Sequence, residues 1–214
     1  MNTTNQTQES EISDEQYEKQ ATLSVWRSCH GFSERHKKNF GECSKHPQWL
    51  AAAERLKRVI GTGAVVCLLG RRGTGKTQLA YHGVAHYIVG LKRPWMDKIY
   101  SRPYQKAYVT AMQFFMKIKA TYGNSKDSAE AVITEFVNCP ILVIDEIQVR
   151  GETDWENQML TYMMDRRYSS KKDTILISNQ KRDAFIESIG PSIADRIRET
   201  GGIIEMDWDS FRAE

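Results

Sequence analysis

The chain has 214 residues, of which 40% are hydrophobic and 27% charged, and its formal net charge is +3. This length suits one α/β domain with an appendage. The N-terminus lacks the basic start and apolar run of a targeting peptide, and no stretch is long and apolar enough to span a bilayer, so we expect a soluble, cytoplasmic protein. Residues 1–20 hold five acidic residues against one lysine, which leaves a net charge of +7 on residues 21–214. The folded body is therefore moderately basic.

The first predicted elements lie in residues 1–30, which we treat as an N-terminal extension to a main domain at residues 31–214. The first dozen residues are polar and predict disorder. Residues 12–26 predict a short helix, and this helix is a candidate for binding a partner protein.

Four cysteines raise the question of a metal site. Cys67 and Cys139 lie in or beside apolar runs that predict buried strands, so we interpret both as reduced core residues. Cys29, Cys43 and His46 share a segment with two further histidines. A structural zinc site normally shows two closely spaced ligand pairs, and only Cys43 with His46 has that spacing. We therefore expect no bound zinc.

A helix, a strand and a second helix are predicted over residues 47–60, 64–70 and 76–89. The first helix places apolar side chains at helical spacing. These are Trp49, Leu50, Ala53, Leu56 and Ile60. The second helix has a face made largely of small residues, formed by Leu79, His82, Gly83 and His86.

Residues 91–106 predict an exposed loop, and beyond it strands alternate with helices. The further strands are predicted at 107–110, 141–146, 174–179 and 202–208. The further helices are predicted at 111–123, 127–138, 153–168, 181–190 and 191–199. This alternation indicates an α/β fold with a doubly wound, mostly parallel five-stranded sheet and helices on both faces.

The stretch GRRGTGKT at residues 70–77 matches the phosphate-loop pattern G-x-x-x-x-G-K-T, with a predicted strand before it and a helix after it. Its backbone N–H groups would surround the β-phosphate, Lys76 would neutralise phosphate oxygens, and Thr77 would hold Mg²⁺. We therefore expect ATP and Mg²⁺ as ligands. The candidate binding residues in and next to the loop are Gly70, Gly73, Thr74, Gly75, Lys76, Thr77 and Gln78.

Three later motifs indicate hydrolysis of the bound nucleotide. The apolar run ILVIDE ends in Asp145, expected beside Mg²⁺, and Glu146, expected to orient or deprotonate a water. Asn179 ends the strand ILISN and is a candidate to position the same water, with a turn-forming role as the alternative. Arg196, followed by Arg198, is a candidate to stabilise the developing negative charge from a neighbouring subunit. The alternative for these arginines is a solvated charge pair on a helix.

In this order, GRRGTGKT, ILVIDE, ILISN and DRIRE with a terminal WDSFR resemble the AAA+ ATPases of the DnaC and DnaI type. These are the bacterial and phage replicative helicase loaders, and the IstB transposition helpers are related to them. The resemblance covers about residues 30–212 and is most specific at 165–179 and 195–212. Loaders typically carry GER before the last helix, whereas this chain has GPS at 190–192, so one arginine of the family is absent.

The resemblance implies a role for each motif residue. Phe40 ends an entry segment of the family, which places an aromatic residue near the adenine. The remaining assignments are Lys76 and Thr77 as Walker A residues, Asp145 and Glu146 as Walker B residues, Asn179 as the first sensor and Arg196 as the arginine finger.

The resemblance also implies binding of single-stranded DNA. Lys119 and Tyr122 match positions at which such loaders place a lysine and an aromatic residue, and Lys117 lies beside them. A cation can follow phosphates while an aromatic ring stacks on bases without reading sequence. The alternative is that Tyr122 joins Phe114 and similar residues on the core face of the helix.

The leading hypothesis is an ATP-hydrolysing helicase loader that self-associates through its ATP sites and holds both single-stranded DNA and a replicative DNA helicase. Residues 1–30 would then offer a single helix for contact with the helicase. An IstB-like transposition helper would share the ATPase and differ in its partner. A nucleotide-gated binding switch would use the same site with negligible hydrolysis.

Overall fold

The computed structural model describes residues 31–38, 45–90, 108–123 and 128–211. The helices are α1 (Glu34–Lys38), α2 (Pro47–Val59), α3 (Lys76–Gly90), α4 (Ala111–Lys119), α5 (Ala129–Asn138), α6 (Asp154–Ser169), α7 (Arg182–Ile189) and α8 (Pro191–Thr200). The strands are β1 (Val65–Gly70), β2 (Tyr108–Thr110), β3 (Ile141–Asp145), β4 (Asp173–Ser178) and β5 (Gly202–Met206). A 3₁₀ turn, Ile147–Val149, follows β3. Within these ranges no helix has the length and apolar character needed to cross a membrane.

The five strands form one parallel sheet in the order β2-β3-β4-β1-β5. Strand β1 lies inside the sheet, where Leu68 pairs with Ile177 of β4 and with Ile204 of β5. Because all strands run the same way, the ends of β1, β3 and β4 meet at one edge, where doubly wound folds bind ligands. The predicted α/β fold with a doubly wound five-stranded sheet is confirmed.

Two hydrophobic cores cover the two faces of the sheet. Val66 and Leu68 of β1 pack in the core that includes Leu56 of α2. Cys67 packs on the opposite face, in the core that includes Phe114 of α4. Burial on both faces explains why the central strands are continuous apolar runs rather than alternating ones.

Two residues of the helix faces named from the sequence are exposed. Leu50 is 43% exposed, because the buried stripe of α2 runs through Trp49, Ala52, Ala53 and Leu56 instead. His86 is exposed, because the buried residues before it in α3 are Leu79, Ala80, Tyr81, Gly83, Val84 and Ala85.

Arg167 of α6 is a fully buried cation that holds three segments together. Its guanidinium donates to the carbonyl of Phe136 at 2.6 Å, to that of Cys139 at 2.8 Å, and to the carbonyl of Asp173. Its Nε donates to the Thr174 hydroxyl at 2.8 Å. Burial lowers the pKa of Arg167 to about 10. These bonds fix the end of α6 against the end of α5 and the start of β4, so this arginine has a structural role.

Candidate nucleotide site

A cavity of about 510 Å³ lies at the carboxyl edge of the sheet. Eight of the residues selected from the sequence line it, namely Gly73, Gly75, Lys76, Thr77, Gln78, Asp145, Glu146 and Asn179. Gly70 and Thr74 support the loop without lining the cavity, since the Gly70 carbonyl accepts a bond from Lys76 and the Thr74 hydroxyl donates to the Arg71 carbonyl. Phe40 lies outside the described residues. The remaining lining includes Arg35, His36 and Phe211.

The loop between β1 and α3 has the backbone that a phosphate loop requires. Gly73 and Gly75 have φ of 86° and 87°, in the region that only glycine enters readily. Lys76 is 6% exposed, and its Nζ donates to the carbonyls of Gly70 at 2.7 Å and Arg71 at 2.6 Å. The ammonium group therefore lies against the carbonyls of Gly70 and Arg71, beside the cavity.

Asp145 connects the end of β3 to the phosphate loop. Its Oδ2 accepts bonds from the Thr77 hydroxyl at 2.8 Å and the Tyr108 hydroxyl at 3.0 Å. Its Oδ1 accepts the backbone N–H of Glu146 at 2.7 Å. Burial, reinforced by the charge of Asp145, raises the pKa of Tyr108 far above its usual value, so the phenol stays protonated as a donor. Tyr108 was not predicted as a site residue, because the first residue of a short strand carries no motif.

The Thr77 hydroxyl and the Asp145 carboxylate offer adjacent oxygen atoms at the cavity wall. Mg²⁺ prefers such oxygen ligands and usually keeps several waters. The donor set of these two residues therefore fits the predicted Mg²⁺ site.

Glu146 is not part of β3, although the predicted strand included it. Its φ of 57° and ψ of 42° are left-handed, so β3 ends at Asp145 and the Glu146 side chain is exposed at the cavity. The 3₁₀ turn that follows brings Gln148 to the end of β4, where its Oε1 accepts the backbone N–H of Asn179 at 3.2 Å. Glu146 and Asn179 therefore reach the cavity from neighbouring strands. Gln148 was missed, because its role depends on the tertiary path of this turn.

Arg196 does not line the cavity of its own chain. Its Nη2 forms an ion pair with Asp165 at 2.7 Å, and its Nη1 donates to the Ser192 carbonyl at 2.8 Å. Its guanidinium lies 5.2 Å from the centre of the Tyr168 ring. The Arg198 side chain is 76% exposed and pairs with Asp195 on the same helix.

The candidate DNA-contacting residues cluster at the end of α4. Tyr122 is 58% exposed, and its hydroxyl accepts the Trp155 indole N–H at 2.9 Å. Lys119 lies 5.0 Å from the centre of the Trp155 ring and 3.7 Å from the Glu156 carboxylate. Lys117 is exposed on the same helix. Phe114, Phe115 and Ile118 are buried on the core face of the helix, whereas Tyr122 is not.

The described cysteines agree with the interpretation as core residues. Cys67 is fully buried, which raises its pKa, whereas Cys139 is half-buried and its thiol donates to the Glu135 carbonyl at 3.4 Å. Cys29 and Cys43 lie outside the described residues. His46 stacks on Phe211 with ring centres 4.0 Å apart. Among residues that the structure describes, no group of three or more histidines, cysteines and acids could hold a metal ion.

The fold and this loop define a P-loop nucleotide-binding protein, and sequence comparison specifies its family. A profile of the AAA domain (dynein-related subfamily) matches residues 65–197. The chain belongs to the AAA family. It is homologous to the replicative helicase loader DnaC of Escherichia coli (strain K12), with 27% identity over 174 residues, or 80% of this chain. The match spans 66% of that relative, slightly less than two thirds of its length.

Solved structures show the same fold. The crystal structure of the DnaC helicase loader superposes with a TM-score of 0.56 at 19% identity, covering 73% of this chain and 86% of the loader. The replication initiator DnaA bound to AMPPCP and single-stranded DNA superposes with a TM-score of 0.54 at 17% identity, covering 75% of this chain and 46% of DnaA. At these identities the likeness is one of fold.

Proposed function

We propose that this chain binds and hydrolyses ATP with Mg²⁺ and acts in DNA replication as a loader of a replicative helicase onto single-stranded DNA. The observation that carries the proposal is the convergence of Lys76, Thr77, Asp145, Glu146 and Asn179 on one cavity. Homology to DnaC supports the helicase-loading part, since that relative is named for this activity.

The phosphate loop and Lys76 bind the triphosphate. Anionic phosphate oxygens are stronger acceptors for an ammonium group than neutral carbonyls are. Lys76 therefore exchanges the carbonyls of Gly70 and Arg71, which now accept its bonds, for oxygens of the β- and γ-phosphates. The backbone N–H groups at the start of α3 add the positive end of a helix dipole.

Thr77 and Asp145 would hold the Mg²⁺ ion, which supplies neutralisation of phosphate charge when bound. Tyr108 donates to the same carboxylate oxygen as Thr77 and so keeps the Asp145 side chain oriented toward the loop. Tyr108 thus acts through Asp145 as a positioning residue.

Glu146 and Asn179 act on the water that attacks the γ-phosphate. Exposed at the cavity, Glu146 accepts a proton from that water, while the Asn179 amide fixes its direction of approach. Arg196 completes the site from a second copy, because within its own chain it lies on α8 and away from the cavity lining. ATP therefore links neighbouring copies head to tail.

The end of α4 forms the surface for single-stranded DNA. Lys117 and Lys119 contact phosphates, and the exposed ring of Tyr122 stacks on a base. Residues 1–30, outside the described residues, are the proposed helicase contact.

The test is co-purification of the full-length chain with the replicative helicase of its host or phage, in ADP, ATP and the absence of nucleotide. We expect a complex with ATP, and transfer of helicase to single-stranded DNA in its presence. Failure to associate in all three states would exclude the loader. ATP-dependent filaments on duplex DNA without helicase binding would indicate a transposition helper instead.

A further inference from the structure

Three consecutive carbonyl groups of the phosphate loop accept hydrogen bonds from outside the loop. The carbonyl of Gly73 accepts the backbone N–H of Phe211 at 3.0 Å. That of Thr74 accepts the indole N–H of Trp208 at 3.1 Å, and that of Gly75 accepts the indole N–H of Trp49 at 3.3 Å. We call Trp49, Trp208 and Phe211 the loop brace.

The two halves of the loop brace come from opposite ends of the described chain, and the segments that carry them contact each other. Trp49 lies on α2, whereas Trp208 and Phe211 follow β5, which ends at Met206 rather than at the predicted residue 208. His46, just before α2, stacks on the Phe211 ring with an interplanar angle of 12°. Residues 208–211, which belong to the terminal motif, thus turn back from the sheet edge onto the phosphate loop.

The contact between this turn and the loop is close. Gly73 has a φ of 86°, and a Cβ built on it would lie 1.9 Å from the Ser210 hydroxyl. No side chain fits between the loop and the turn at this point. The turn therefore fixes the position of the loop as well as the direction of its carbonyls.

Holding these carbonyls also sets the direction of the loop amides. The described peptide bonds are trans. In a trans peptide the C=O of one residue and the N–H of the next point in opposite directions. Bonds to the carbonyls of Gly73, Thr74 and Gly75 therefore direct the N–H groups of Thr74, Gly75 and Lys76 away from the donors. These amides belong to the set that binds the phosphates.

We propose that Trp49, Trp208 and Phe211 are positioning residues that orient the phosphate-binding amides before nucleotide arrives. This inference rests on the proposed binding of ATP at the loop. It assigns a role to WDSFR, which the catalytic scheme leaves unused. Preorganised N–H groups bind an anion more strongly, because the loop loses less conformational freedom on binding.

The direct test is Trp208→Phe, which keeps an aromatic ring and removes the indole donor. We expect the dissociation constants for Mg²⁺–ATP and for ADP, measured by calorimetry, to rise about tenfold. The melting temperature of the nucleotide-free protein should stay within a few degrees of wild type. Tyr162→Phe is the control, since it removes one exposed donor, to Glu130, far from the loop. A purely structural role would lower the melting temperature and leave both dissociation constants unchanged.

A second pair of variants tests the backbone donor. Phe211→Ala and Phe211→Pro both remove the ring beside the cavity, but only proline removes the N–H that binds the Gly73 carbonyl. We expect the proline variant to bind ADP several-fold more weakly than the alanine variant. If Trp208→Phe proves unstable, this pair of variants tests whether the brace orients the loop amides.

The outcomes separate this inference from the proposed function. Wild-type affinity in Trp208→Phe, or equal affinities in the two Phe211 variants where Trp208→Phe is unstable, would overturn the brace. If the wild-type protein binds neither ATP nor ADP, the proposed nucleotide function fails instead.

Discussion

The nucleotide cavity and the surface at the end of α4 hold their charged side chains in different ways. Lys76 and Asp145 are each 6% exposed; Lys76 donates two hydrogen bonds to loop carbonyls, and Asp145 accepts bonds from the Thr77 and Tyr108 hydroxyls. Lys119 has a side chain 55% exposed and a single ion pair at 3.7 Å. Tyr122 is 58% exposed.

This difference indicates two modes of binding. A buried charge must be satisfied by fixed partners, so the cavity is shaped before its ligand arrives. The exposed lysine and tyrosine contact Trp155 at the protein surface, where they can shift to follow a flexible strand of nucleic acid. We therefore expect large, all-or-none effects of substitution in the cavity and graded effects on α4.

The largest expected effect is that of Lys76→Ala. Removing the ammonium leaves phosphate charge uncompensated, and we expect ATP binding to fall at least a hundredfold and turnover to disappear. Equilibrium binding of a fluorescent ATP analogue measures this loss. Lys57→Ala is the control, because that lysine forms a surface pair with Glu54. Retained ATP affinity in Lys76→Ala would contradict the assignment of the phosphate loop.

The next effect separates binding from hydrolysis. Glu146→Gln keeps the size of the side chain and removes its basicity, so turnover should fall about a hundredfold or more while ATP affinity stays near wild type. Phosphate release under saturating ATP measures the change.

The matched control for this change is Glu152→Gln. Glu152 is also an exposed glutamate with a left-handed backbone, with φ of 50°, but it is not among the cavity-lining residues. Turnover that is negligible in wild type and unchanged in Glu146→Gln would favour the nucleotide-gated switch.

A smaller expected loss concerns the contact between copies. Arg196→Ala should bind ATP normally and lose the part of turnover that rises with protein concentration or added single-stranded DNA. Loss of one positioned donor to transition-state charge typically costs about a hundredfold. Steady-state turnover measured across protein concentrations detects it.

Arg198→Ala is the matched control, because it lies on the same helix and pairs only with Asp195 among the contacts seen. If the stimulated turnover disappears in Arg198→Ala and persists in Arg196→Ala, the arginine finger is Arg198.

The phosphate-loop end of the sheet could be predicted almost completely from sequence. The order of strands and helices follows from apolar periodicity, and the loop follows from local glycine spacing, so β1, α3 and the edge that gathers Asp145 and Asn179 were predicted. Left-handed Glu146 was not, because nothing local distinguishes it from one more strand residue.

Residues that act through contacts far apart in the sequence could not be predicted. Trp49 and Trp208 bond to adjacent loop carbonyls although 159 positions separate them in the chain. Arg167 resembles an ordinary helix-end cation, and its burial is set by carbonyls of other segments. Periodicity and motif spacing carry no information about such pairs.

The smallest expected effect tests the exposed surface. Tyr122→Ala should weaken binding of an oligothymidine about tenfold, since stacking on one base contributes roughly 1–3 kcal/mol. Fluorescence anisotropy measures the affinity, and the ATP affinity measured in parallel should not change. Tyr162→Ala is the control, as a tyrosine 42% exposed on α6. Lys119, which lies over the same Trp155 ring that Tyr122 contacts, would bind a phosphate, so Lys119→Ala should also weaken DNA binding and reduce its dependence on salt. Equal DNA affinity in wild type, Tyr122→Ala and Lys119→Ala would place the nucleic-acid surface elsewhere and remove α4 from the comparison with the cavity.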